Sequence, residues 1–233
     1  MILLGLVMIA TVSLALADPQ IFRSWFAAED GPIEYGTAVL LLIGGVVLLC
    51  RAVRGTGSRG MVFVALTGIY ALLFFLAAGE EISWGQRIFG LETPEALAQR
   101  NDQHELTFHN LVVGGVKLDE VIFGNLLSVV LLSYLIGLTL MWPRFAWVRR
   151  FSEALAIPVP RRHHMLATLA VSVIIVLLPV SRKWEVYEFA FATIALGIFL
   201  FPRNAAAADQ EAPDLGRARA YPGSSGAEQV KNS

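Results

Sequence analysis

Apolar residues in this chain gather in six blocks, 1–17, 33–50, 61–78, 121–142, 165–180 and 186–201, with short polar stretches between them. Each block runs through Leu, Val, Ile, Phe and Ala. None shows the apolar–polar alternation of a membrane-crossing strand. The blocks are about 16 to 22 residues long, close to the ~20 that span a hydrocarbon core as a helix. A helix satisfies its own backbone groups in lipid. The pattern therefore predicts an all-α fold, a polytopic membrane helix bundle of about six transmembrane helices over residues 1–201. The last two blocks are the shortest and are expected to pair as a tight hairpin.

Polar residues between the blocks set the orientation. Arg51, Arg54 and Arg59 fill one loop, and Arg144, Arg149, Arg150, Arg161 and Arg162 fill another against a single Glu153. Positive loops stay in the cytoplasm. This places both termini inside and the acidic loops 18–32, 79–120 and 181–185 outside, as expected for a multi-pass protein of the bacterial inner (plasma) membrane. Ala15-Leu16-Ala17 before Asp18 resembles a signal cleavage site, but no Lys or Arg precedes the first block, so a retained helix is expected. Residues 202–233 are rich in Ala, Gly, Ser and charge, a composition that predicts a disordered cytoplasmic tail.

Composition agrees with the pattern: 56% of the residues are hydrophobic and 16% charged, against about 45–50% and about 25% in soluble domains. A net charge of −1 leaves no basic footprint for nucleic acid. The single cysteine, Cys50, excludes an internal disulfide and a zinc–thiolate cluster. His163 and His164 read as juxtamembrane charge beside anionic lipid.

Segment 79–120 is unlike an ordinary loop. Glu80 and Glu81 follow the third block without a polar spacer, at a depth where an ionised carboxylate has either a partner or a job. If the helix continues, Glu80, Ser83, Trp84 and Arg87 share one face, and Arg87 neutralises Glu80. Thr93 and Pro94 read as the cap and first residue of a short surface helix. Glu105 and His109 share a face if that stretch is helical. Glu185 and Glu188 open the last block on the same outer side. Three sequence-distant groups are therefore expected to converge there.

Such residues suit two chemistries. A partly buried glutamate can activate water as a general base, and Glu with His can hold a divalent metal, here Glu81, Glu105, His109 and Glu185. No His-Glu-x-x-His, phosphate loop or nucleophile elbow is present. Structural readings stand beside these: an ion-pair network anchoring the third helix, a solvated face for Glu105 and His109, and an acidic start for the last helix.

Glu80-Glu81, Arg87 and His109-Asn110 are similar to the CPBP intramembrane protease family, which includes the CAAX prenyl endopeptidases. The resemblance implies that Glu80 or Glu81 activates water and His109 assists. The spacing departs from that family, whose Glu-Glu-x-x-x-Arg is here stretched to five intervening residues, and no Phe-x-x-x-His occurs. The chain more closely resembles uncharacterised bacterial multi-pass membrane proteins, through Glu80-Glu81-Ile82-Ser83-Trp84-Gly85-Gln86-Arg87 followed by Asn101, Gln103, Glu105, His109 and Asn110. That likeness implies a membrane protein and no particular activity.

Two functions follow as expectations. One is an enzyme acting on a lipid or lipid-linked substrate at the outer face, with Glu81 as base or metal ligand, His109 assisting, and Glu80 and Arg87 positioning. The other is a non-catalytic sensor, assembly factor or complex subunit, with membrane lipids and a membrane-protein partner around it and segment 79–120 as its docking surface. No block carries charge at its centre and no broken-helix pair is evident, which disfavours a transporter.

Overall fold

A computed structural model of the chain describes residues 1–118, 121, 124 and 126–205. Most of the tail expected to be disordered, 206–233, lies outside the described residues.

The fold is all-α, and each apolar block is helical. The helices are α1 (Ile2–Ala17), α2 (Pro32–Gly55), α3 (Met61–Glu81), α4 (Leu127–Met141), α5 (Ala146–Ala154), α6 (Arg162–Leu177) and α7 (Lys183–Leu200). Two of them, α2 and α3, are long and apolar enough to cross a membrane. Helices α1, α4 and α6 are apolar but shorter. A π-helical stretch, Ser133–Leu138, interrupts α4. A small hairpin, β1 (Val112–Val113) with β2 (Val116–Lys117), lies in the polar segment.

Helix α2 packs most extensively on α3 and then on α7, which also contacts α6 and α1. Small residues make the α2–α3 approach close. A Cβ at Gly45 would stand 2.7 Å from the Phe75 ring, which would have to shift to admit it. Close approach through small residues is how helices associate without a hydrophobic drive from water. A stripe on α1, Leu4, Met8, Thr11 and Ala15, recurs at helical spacing and is buried.

Charge separates to the two ends. At one end Arg182 reaches Glu29 and Glu185, and Arg87 reaches Asp30, joining loops 18–31, 82–118 and 178–182. At the other lie the two arginine-rich loops. There the Tyr70 hydroxyl donates to the Leu155 carbonyl at 2.7 Å, and Tyr134 donates to that of Pro158. Asn204 donates to the Ile157 carbonyl and accepts from the Val159 amide. Residues 155–160 are thus a connector drawn into the bundle, with its backbone groups satisfied as burial requires. His164 is not simple juxtamembrane charge: it is buried, its Nδ1 accepts from the Arg161 amide, and it closes the start of α6.

Candidate functional site

The site begins where α3 stops. The helix ends at Glu81 instead of continuing to Arg87, because Ser83 (φ 48°), Trp84 (φ 56°) and Gly85 (φ 74°) turn the chain left-handed. Only Gly85 adopts that region without steric cost. The Trp84 ring folds back onto Gly79, where a Cβ would meet it at 2.8 Å.

That reversal breaks the expected Glu80–Arg87 pair. Glu80 instead accepts from Trp84 Nε1 at 2.7 Å, from the Phe108 amide at 2.7 Å and the His109 amide at 3.1 Å, and it bonds His109 Nδ1 at 3.2 Å. Arg87 is carried away to Asp30, at 2.6 Å, and to Glu105. Partial burial works against its charge, but the hydrogen bond and charge of Asp30 hold the guanidinium above its ordinary pKa.

Residues 101–111 are not helical, so Glu105 and His109 do not share a face. Glu105 is buried, with one oxygen on Arg87 and the other accepting from Ser83 Oγ at 2.7 Å. Asn101 Oδ1 accepts from the amides of Gln103 and Glu105. Asn110 donates to Gln103, and Gln86 accepts from the Leu106 amide. The short helix is Glu95–Ala98 with Pro94 as its cap, one position later than expected. Thr93 instead accepts from Gln86 and donates to the His104 carbonyl. The polar residues of this segment thus chiefly bind the cap together.

Behind that cap the sequence-distant carboxylates meet. Glu81 lies within electrostatic reach of Glu34, Glu185 and Glu188. Glu188 feels Glu185, Glu34 and His109, and Glu185 feels His109. Glu34 is partly engaged, accepting from the Asp30 amide at 2.7 Å. Glu185 stands 3.7 Å from Arg182. Among the described residues no hydrogen bond or ion pair reaches the carboxylates of Glu81 or Glu188. Glu188 is exposed. Among the described residues no three His, Cys, Asp or Glu stand close enough to hold a metal ion.

An apolar groove opens beside the cluster. Its walls are Tyr35, Ala38, Val39 and Leu42 of α2, Phe75, Ala78 and Gly79 of α3, and Ile82. Glu34 precedes Tyr35 and Glu81 precedes Ile82. Both glutamates thus adjoin the groove's lining along the chain without lining it themselves. Comparison of the chain with family models, curated proteins and solved structures finds no match.

The site has two kinds of carboxylate. Glu80 has its lone pairs occupied and acts as an anchor. It holds the His109 ring through Nδ1, the way a carboxylate orients a histidine. Glu81 and Glu188 have no hydrogen-bond partner among the described residues and sit among like charges. Sequence reasoning placed Glu81, His109 and Glu185 on one side but left out Glu34 as a site residue. Its position in the first turn of α2 looks like ordinary dipole compensation.

Proposed function

We propose that this chain is a bacterial inner-membrane protein of six spans, both ends cytoplasmic, whose outer end acts on a lipid or lipid-linked substrate. Exposed Leu, Val and Ile run along α1, α2, α3, α4 and α6, a belt that water would not tolerate and lipid would. The separation of acidic and basic loops supports the orientation. The buried connector 155–160 fills the basic end, so the acidic end is where a substrate would enter.

The observation that carries the enzyme reading is the clustering of Glu34, Glu81, Glu185 and Glu188 within electrostatic reach, Glu81 and Glu188 without hydrogen-bond partners among the described residues, with Glu34 and Glu81 next in sequence to residues that line an apolar groove. A hydrocarbon chain in the groove would bring its polar end to them. Glu81 then takes a proton from water as the oxygen attacks the carbonyl or phosphoryl centre of an ester in that polar end; the bond from that centre to the alcohol oxygen breaks, and the alcohol leaves with the proton returned by Glu81, a transfer that His109, held by Glu80, assists. Glu188 and Glu185 keep the pocket acidic.

Glu81→Gln and His109→Ala test the reading in cells lacking the protein. Each should remain folded and membrane-inserted yet fail to restore the deletion phenotype, whereas Glu153→Gln at the other end should restore it. Full restoration by both site variants removes the enzyme reading.

One observation favours the docking alternative. Phe89 is 74% exposed, and Ile88 and Phe108 are exposed beside Trp84 on the same cap. A stoichiometric membrane-protein partner lost in Phe89→Ser, together with full function in Glu81→Gln, would establish that alternative instead.

A further inference from the structure

The cytoplasmic end carries a second surface that the outer site does not use. Helix α5 is strongly two-sided. At 100° per residue, Trp147, Phe151, Val148 and Ser152 occupy one half of the wheel, and Arg149, Arg150 and Glu153 the other. The apolar half is itself divided. Val148 and Ser152 are buried against the bundle. Trp147 and Phe151, one turn apart, point outward and are 61% and 53% exposed, with Phe145 packed on Trp147 at 6.3 Å.

Arginines border this aromatic patch. Arg144 and Arg149 turn partly inward, donating to the carbonyls of Leu140, Trp142 and Pro143 that end α4. Arg150 and Arg162 are exposed and make no hydrogen bond or ion pair among the described residues. A helix with large aromatics on one flank and cations on the other suits the headgroup–acyl boundary. There the rings enter lipid and the cations meet phosphate.

We infer that α5 is an in-plane interfacial helix that binds anionic phospholipid from the cytoplasmic leaflet, with Trp147 and Phe151 in the acyl region and Arg150 and Arg162 on the headgroup phosphate. Charge complementarity selects the occupant: among the described residues this end bears nine arginines, Arg203 included, against Glu153 alone. The headgroup is therefore one with net negative charge, such as phosphatidylglycerol, in preference to a zwitterion. The inference rests on membrane insertion and this orientation, and not on any activity of the outer site.

Native mass spectrometry of the full-length purified protein, delipidated and exposed to equal phosphatidylglycerol and phosphatidylcholine, tests it. The wild type should retain phosphatidylglycerol preferentially. Arg150→Gln with Arg162→Gln should reduce that preference by about an order of magnitude, since each basic residue near an anionic surface is worth about 1 kcal/mol. The double lysine variant should keep it. Trp147→Ser with Phe151→Ser should lower retention of both lipids. Added inorganic phosphate should not compete. An unchanged preference in the double glutamine variant, or equal retention of both lipids by the wild type, overturns the inference.

Discussion

The two ends of the bundle use polar groups in opposite ways. At the basic end, hydroxyls and amides close the structure: Tyr70, Tyr134 and Asn204 satisfy the carbonyls of the buried connector, and His164 caps a helix. At the acidic end the cap is bound just as densely around Glu80, Arg87 and Glu105, yet Glu81 and Glu188 behind it make no hydrogen bond among the described residues. A carboxylate without a partner beside a membrane costs free energy, and two of them at one place point to use. The proposed function rests on that difference between the ends.

The sharpest way to break this contrast is to remove the anchor of the acidic end. Glu80→Gln replaces a carboxylate that receives bonds from Trp84, Phe108 and His109. Hydrogen bonds to a charged group contribute about 1.5–3 kcal/mol each, and the amide can keep only some of them. We expect a loss of about 3 kcal/mol in the stability of the cap, on the scale of one or two such bonds. Limited proteolysis would read it as new cleavage within 100–111, with the basic end still protected. Equal protection in variant and wild type would show that Glu80 is not the anchor.

The opposite change is Tyr70→Phe, which strips the Leu155 carbonyl of its donor and leaves the acidic end untouched. Losing the partner of a buried group costs about 1–2 kcal/mol. It should appear as a lower unfolding midpoint in detergent with undiminished activity. Lost activity at an unchanged midpoint would couple the two ends in a way the structure does not show.

A smaller effect is expected at Gly85. Alanine there must hold φ near 74° and push its Cβ to 2.8 Å from the Phe89 ring, which can move aside. The left-handed strain is about 1 kcal/mol. A modest fall in the unfolding midpoint should accompany partial loss of activity, because the turn aims Glu81. An unchanged midpoint would mean that the reversal at 83–85 is not strained.

The contrast between ends was partly legible in the sequence. Each apolar block contains a helix, and most block boundaries fall within a few residues of the helix ends, since apolar runs and helix length are both local properties; two of the helices are long and apolar enough to span a membrane. Arginine placement separated the ends for the same reason. The site was legible only as a neighbourhood. Nothing local announces that Ser83 and Trp84, neither of them glycine, turn left-handed, so a continuing helix and a Glu80–Arg87 pair looked natural. Arg87 chooses Asp30 and Glu105 because the reversal carries it to loops 57 and 18 residues away in sequence. Spacing rules cannot see partners at that range. Glu34 was hidden in plain view, as one more acidic residue at a helix start.

The central claim is that the acidic end acts on lipid through Glu81. Quantitative lipid profiling of cells lacking the protein, and of the same cells expressing wild type or Glu81→Gln at equal membrane levels, tests it most directly. The account predicts a lipid or lipid-linked species that accumulates without the protein, is cleared by the wild type and persists with Glu81→Gln. Clearance by Glu81→Gln equal to wild type, or identical lipid profiles in all three strains, would contradict it.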